Sequence, residues 1–276
     1  MNKDHWNEHA KQWSHIGTPL RPSREDTQLI ENQLFSRSER STELKAMLLG
    51  VTPELALMDW PKNTKLLAID RNQAMIDGVW PKNKLKINAA AISGNWLSTQ
   101  QKNNSMDIVL GDGCLTLLSY KEHYSSFFKE IQRIVSDDGS FVIRHFTRPE
   151  KAENPEDIFS DLLNGKIGNF HIFKWRLAMA LHGSIEEGVV VNKVWETWKD
   201  KNISLEQLIE TTGWAEESIN TINNYKNVNT VYTFPTVSEV TDISAQYFDQ
   251  TSCHYMDYEL GKCCPTFFLK PKSKAY

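Results

Sequence analysis

The chain has 276 residues, 40% of them hydrophobic and 24% charged, with a formal net charge of −4. That balance excludes a disordered chain, and the length permits one α/β domain with an insertion or two domains. The mild negative charge gives no reason to bind nucleic acid or an anionic membrane surface, and four cysteines do not form a disulfide framework. With no apolar run long enough to cross a bilayer and no secretory apolar core near Met1, a cytoplasmic setting is expected, without nucleic-acid or membrane partners.

The first twenty-odd residues are polar, with Trp6 and Trp13 two helical turns apart on one predicted face. Pro19-Leu20-Arg21-Pro22 follows as a stiff, extended linker, because each proline fixes its own φ and restricts its predecessor. Ser23 with Asp26 predicts a capped helix through Leu29, Ile30 and Leu34 to about residue 35.

From residue 45 strands alternate with helices. A strand at 46–50 ends at Gly50, with Thr52 as N-cap and Pro53 at the first helical position. A strand at 65–70 ends at Asp70 and leads to a short helix at 74–79; residues 85–92 and 106–110 are further strands. Ser119 and Glu122 predict a capping box for a helix whose apolar stripe is Tyr124, Phe127, Phe128, Ile131, Ile134 and Val135. Asp137-Asp138-Gly139 predicts a turn into a strand at 140–146. This rhythm predicts an α/β fold, a doubly wound and mostly parallel sheet.

Residues 150–235 break the rhythm. Asn154-Pro155 opens one helix and Gly165 closes it; another, rich in Phe170, Phe173, Trp175, Leu177 and Leu181, ends near Gly183. Ser204 with Gln207 caps a third, which stops at Gly213. These helices predict an insertion beside or over the site. Thr236 and Glu239 cap a final helix, and short strands near 252–256 and 266–269 close the chain.

Gly50 is followed by Val51, Thr52, Pro53 and Glu54, whereas a dinucleotide loop needs several glycines for its backbone to approach a pyrophosphate. A ligand with a sulfonium and an amino-acid head fits better. Its ammonium is attracted by Glu54 or strand-end carbonyls, and its carboxylate by helix N–H groups or Arg21. Asp70, twenty positions after Gly50, can accept both ribose hydroxyls, cap the helix that follows, or do both. Gly94-Asn95-Trp96 and Gly111-Asp112-Gly113 follow the third and fourth strands, where Asn95 can bond an adenine edge and the glycines allow close approach.

His145, at the end of the fifth strand, is a candidate general base by position and near-neutral pKa, or else a buried, hydrogen-bonded histidine. Strand alternation points Arg144 and His145 in opposite directions and leaves open which faces the pocket. Phe170, Phe173 and Trp175 are either helix core or acceptor pocket. Cys253-His254 and Cys263-Cys264 lack metal-ligand spacing, so no metal site is expected.

These residues resemble the class I, Rossmann-like S-adenosylmethionine-dependent methyltransferases. The likeness covers roughly residues 10–146 and 236–272 and leaves the insertion unmatched. It rests on Trp13-Ser14-His15-Ile16-Gly17-Thr18-Pro19-Leu20-Arg21-Pro22, the loop at 48–55, Ala68-Ile69-Asp70-Arg71-Asn72-Gln73-Ala74-Met75, Gly94-Asn95-Trp96 and residues 107–113; Tyr258-Glu259-Leu260 and Cys264-Pro265-Thr266 resemble one branch's terminal hairpin. The chain departs from the pattern at the first loop, which lacks the extra glycines and preceding acid, and at Asn95, where an aspartate is frequent.

The resemblance implies a seven-stranded sheet with a C-terminal antiparallel hairpin and a helical insertion after the fifth strand. It implies an N-terminal helical cap at 1–40, a methyltransferase domain at 41–149 and 236–276, and an insertion or lid at 150–235. The implied cofactor is S-adenosylmethionine, and the implied reaction is in-line methyl transfer to a small-molecule acceptor. By position, Gly50, Val51 and Thr52 lie against the methionine moiety, and Asp70 holds the ribose. Arg71, Met75, Gly94, Asn95 and Trp96 form the adenine pocket, while Gly111, Asp112 and Gly113 flank the sulfonium. Trp13, Pro19, Leu20 and Arg21 close the site. Competing expectations are a nicotinamide-dependent oxidoreductase on a similar sheet and a non-catalytic cofactor-binding protein.

Overall fold

A computed structural model describes residues 6–38 and 43–273. Strands β1 (Leu44–Leu49), β2 (Thr64–Asp70), β3 (Asn88–Ser93), β4 (Met106–Asp112) and β5 (Val135–Arg144) pair in parallel in the order β3-β2-β1-β4-β5. A two-residue pair, β6 (Val189–Val190) and β7 (Val231–Tyr232), stands apart in the insertion. β8 (Phe248–His254) and β9 (Thr266–Pro271) extend the main sheet as an antiparallel hairpin, with β9 antiparallel to β5. Seven strands therefore make one sheet in which only β9 is reversed. The predicted fold class holds.

The helices are α1 (Trp6–Lys11), α2 (Arg24–Ser38), α3 (Pro53–Ala56), α4 (Gln73–Val79), α5 (Glu122–Ile134), α6 (Pro155–Leu163), α7 (Phe170–Ala180), α8 (Val191–Asp200), α9 (Leu205–Thr212), α10 (Glu216–Asn220) and α11 (Val237–Ser244). No helix among the described residues is long and apolar enough to cross a membrane. Alternation along β1 sends Met47 and Leu49 into a core with Phe127, Phe128, Ile131 and Val240, and Ala46 and Leu48 into one with Ile30, Leu34 and Val79. Burial on both faces is what a parallel sheet covered by crossover helices requires. Helices α6 to α10 pack around a separate cluster of Phe170, Phe173, Leu208 and Ile222 that reaches the sheet at Phe146.

Several local signals act as predicted. Ser23 and Asp26 exchange bonds at the start of α2, and Thr236 and Glu239 form a full capping box on α11. Asn154 and Ser204 cap α6 and α9, and Gly213 ends α9 with φ +69°.

Four expectations are corrected. Ser119 does not cap α5: the N-cap position is Lys121, without a side-chain bond, and Tyr120 instead packs edge-on against Tyr124 at 5.5 Å. Asp137-Asp138-Gly139 is not a turn between elements but a bulge within β5, because Met106 pairs with Val135 and Ile108 with Ser140. The third strand starts at Asn88 rather than 85, since Lys82–Lys84 close a 3₁₀ turn. Trp6 and Trp13 do not share one helix; α1 stops at Lys11 and Trp13 opens a 3₁₀ turn.

Candidate functional site

The chain leaves β1 for β2 and β3 on one side, and β4 and β5 lie on the other. The carboxyl ends of β1 and β4 therefore flank the point where strand order reverses, where such sheets hold ligands. Gly50, immediately after β1, adopts φ +95° and donates its N–H to Ile69 O at 2.8 Å, a conformation that favours glycine. Beside it opens an inner cavity. Its floor is Gly50, Val51 and Thr52 with Asp70 and Met75; its far wall is Phe146, Trp175, Tyr225 and Tyr232. Trp6, Trp13, Ile16 and Leu20 close it from the N-terminal side, and Asp112, Gly113, Thr116 and Leu117 complete it.

An outer groove shares Asp70, Met75, Trp96 and Leu117 with this cavity and adds Arg71, Asn72, Gly94 and Asn95. The Trp96 indole donates from Nε1 to Ile69 O at 2.7 Å, and Trp96 lines both spaces. A Cβ on Gly94 would come within 2.7 Å of Ile69 Cγ2, which accounts for glycine there. Asn95 is exposed, and its Oδ1 accepts from Leu97 N at 3.0 Å.

Asp70 Oδ1 accepts from Asn72 N at 2.8 Å, while Asn72 is the residue that caps α4. Asp70 therefore shapes the turn without being the cap. Burial raises its pKa above the usual carboxylate value, opposed by the Asn72 N–H and by Arg71.

Expectations for the first loop change. Arg21 donates through Nε to Glu54 Oε1 at 2.7 Å and through Nη2 to the same oxygen. Its Nη1 reaches the carbonyls of Trp13 and Ile16, and its guanidinium lies 5.4 Å from the Trp13 ring centroid. Arg21 and Glu54 thus bind each other rather than the two ends of an amino acid, because their opposite charges meet across the linker. Arg21 does not line the cavity; it holds Trp13 and Ile16, which do. Pro19 also stands outside the lining and presents its carbonyl to Arg144, whereas Leu20 lines the cavity. Gly111 packs beneath the site, where a Cβ would meet Cys114 Sγ at 3.1 Å.

Register settles the choice between Arg144 and His145. Asp112 and Arg144 are Cα partners across β4 and β5, and Arg144 Nε donates to Asp112 Oδ1 at 2.7 Å. Arg144 Nη1 bonds Pro19 O at 2.9 Å and Tyr258 Oη at 3.2 Å, and it stands 3.9 Å from Asp26 Oδ2. His145 points away from the cavity, is fully buried, and neither ring nitrogen has a hydrogen-bond partner. Burial, with Arg144 adjacent, pushes its pKa down to about 3. The expectation of His145 as general base is therefore set aside: it neither reaches the site nor accepts protons near neutrality.

The far wall is an aromatic set that periodicity only partly revealed. Trp175 packs edge-on against Phe146 at 5.2 Å and Tyr232 at 5.8 Å, and Tyr225 meets Tyr232 at 6.2 Å. Of the three helix aromatics, Trp175 lines the cavity, while Phe170 and Phe173 stack on each other in the insertion core. Tyr225 and Tyr232 carried no sequence signal, since one ends a short 3₁₀ helix and the other lies in a two-residue strand, both too short for a periodic pattern.

The insertion also grips the N-terminal segment. His171 Nε2 meets His15 O at 2.8 Å, Asn169 Nδ2 donates to Thr18 O at 3.0 Å, and Asn224 Nδ2 donates to Gln12 Oε1 at 2.8 Å. These bonds seat Trp13, Ile16 and Leu20 over the cavity. Among the described residues no lysine, arginine or histidine lines the inner cavity, and the charged side chains that do line it are Asp70 and Asp112.

No family model and no curated protein matches the chain. Solved structures do share its fold. One is the PH0226 protein from Pyrococcus horikoshii OT3, at 13% identity over 92% of this chain and 94% of that one, with a TM-score of 0.53. A Rhodobacter sphaeroides protein provisionally assigned to the Zn-dependent alcohol dehydrogenases matches at 12% identity over 97% and 99%, TM-score 0.57. A Nostoc punctiforme protein provisionally assigned as an O-methyltransferase matches at 12% identity over 96% and 59%, TM-score 0.52. What is shared at such identities is the fold, a doubly wound Rossmann-like sheet closed by an antiparallel hairpin.

Proposed function

We propose that this protein binds S-adenosylmethionine and transfers its methyl group to a small-molecule acceptor. The observation that carries the reading is the inner cavity at the switch point, lined by Asp70, Asp112 and aromatic rings and, among the described residues, by no basic side chain. Carboxylates and ring faces favour a cationic sulfonium and disfavour a diphosphate.

The residues fit such a cofactor. The open backbone at Gly50 leaves Asp70 Oδ2 and Trp96 at the floor, within 3.8 Å of where a Cβ would stand. Asp70 accepts ribose hydroxyls, Met75 and Trp96 bracket the base, and Asn95 stands at the rim of the outer groove. Bound there, the cofactor supplies a methyl group already activated on sulfur. The protein's part is alignment and the exclusion of water. Trp13, Ile16 and Leu20, held by the insertion, provide that seal.

The second reading, a nicotinamide-dependent oxidoreductase, draws on the provisional assignment of the Rhodobacter sphaeroides neighbour. Against it, Val51 is buried and Pro53 opens α3 directly, so the loop presents one glycine where a pyrophosphate needs several. A thermal-shift panel of S-adenosylmethionine, S-adenosylhomocysteine and NAD decides between them. Both sulfur ligands should raise the melting temperature of the wild type, and Asp70→Ala should lose most of that gain. Stabilisation by NAD alone would overturn the proposal.

A further inference from the structure

Asp70 and Asp112 carry the charge in the inner cavity, and Asp70 is committed to the cofactor side. Asp112 lines the cavity with Gly113, Thr116 and Leu117, and a Cβ on Gly113 would stand 2.8 Å from Phe146 Cε2. One of its oxygens, Oδ1, is fixed by Arg144 Nε at 2.7 Å, and Arg144 is itself held by Pro19 O and Tyr258 Oη. Among the described residues Oδ2 has no hydrogen-bond partner and is not a sealed atom, and Asp112 lines the cavity.

Resting on the methyl-transfer reading, we propose that Asp112 Oδ2 receives the proton of an uncharged hydroxyl- or thiol-bearing acceptor whose flat, apolar body lies against Phe146, Trp175 and Tyr232. The acceptor's oxygen or sulfur forms the new bond to the methyl carbon as the carbon–sulfonium bond breaks. The electron pair of that bond leaves on sulfur as a neutral thioether, and the acceptor's proton passes to Asp112. Charge balances: the sulfonium and the carboxylate both become neutral.

Three features select this acceptor class. Edge-to-face rings form an apolar wall that complements a planar body. An anionic acceptor meets two carboxylates and, among the described residues, no cationic side chain. The fixed Arg144 bond aims the remaining carboxylate oxygen without neutralising it by a second contact. Burial, the dominant influence, brings Asp112 up to about 6, against the pull of Arg144 and with Asp26 and Glu54 adding to the rise. Cys114, facing it from the next turn, is a buried neutral thiol. A proton can therefore be taken and released near neutrality.

The test uses p-cresol and its carboxylate isostere p-toluate, titrated at pH 8 into protein saturated with S-adenosylhomocysteine, with binding read by ligand-observed NMR. p-Cresol should bind wild type at least tenfold more tightly than p-toluate. Asp112→Asn keeps an oxygen for Arg144 and should weaken p-cresol while strengthening p-toluate, a crossover that a merely structural role would not produce. Equal binding of the two probes, or no binding of p-cresol while S-adenosylhomocysteine still binds, would overturn the acceptor assignment alone. Failure to bind S-adenosylhomocysteine would overturn the methyl-transfer reading beneath it.

Discussion

Arg144 and Asp112, neighbours across β5 and β4, join their side chains at 2.7 Å with only 2% and 6% of the two side chains exposed. The pair ties the ends of the central strands to the N-terminal segment through Pro19 and to the C-terminal region through Tyr258. It lies directly behind the cavity wall, with the guanidinium 5.2 Å from the Phe146 ring centroid.

Removing one partner of a buried pair leaves the other charge uncompensated. Arg144→Ala is expected to cost about 3–5 kcal/mol of stability, because Asp112 and Asp26 would then face each other without a cation. Urea unfolding should show a lower midpoint. An unchanged midpoint would mean that water solvates the pair.

Lys174 is fully buried; its Nζ donates to Thr221 Oγ1 at 2.8 Å and lies over the rings of Phe170 and Tyr225. Burial lowers its pKa to about 7. Between pH 7 and its ordinary 10.5 the unfolded chain holds a proton that the folded chain has released, so stability from this group climbs with pH across that window. Lys174→Met should flatten that climb and stabilise the protein at pH 7. Unfolding midpoints for both proteins from pH 7 to 10 provide the check.

His145 and His171 are buried and neutral, each pushed from 6.5 down to about 3. Between those values the unfolded chain binds protons that the folded chain refuses, so both groups make stability fall as pH drops through the window. Asp112 acts in the opposite sense between 3.8 and about 6, where its raised pKa favours the folded state on acidification. His145→Met removes one acid-sensitive group whose nitrogens have no partner to lose. Its acid unfolding curve should be shallower than wild type; an identical curve would contradict burial of a neutral imidazole.

Gly113 has φ +66°, and a Cβ there would approach Phe146 Cε2 to 2.8 Å. Gly113→Ala is expected to cost about 1–2 kcal/mol in backbone strain alone and to displace the Phe146 ring from the cavity wall. Stability should fall modestly, while p-cresol binding should fall more than S-adenosylhomocysteine binding. Parallel titrations of the two ligands would reveal equal losses if Phe146 did not serve the acceptor side.

What the chain's own order of residues determined was local. Alternating apolar strands and helix caps prescribe the doubly wound sheet, because periodicity and hydrogen-bonding side chains act within a few residues. Gly50 and Asp70 were legible for the same reason, each ending an apolar strand. Partner choice was decided only in three dimensions. Arg21 and Glu54, read as two hands for a ligand, hold each other across 33 positions of sequence. Arg144 rather than His145 approaches the site because strand register, which no local pattern encodes, sets it opposite Asp112. Tyr225 and Tyr232 reach the cavity only because the insertion folds its own core and leans that core on Phe146. Sequence periodicity reports which face of an element is buried; which groups from distant segments meet there depends on how whole layers pack.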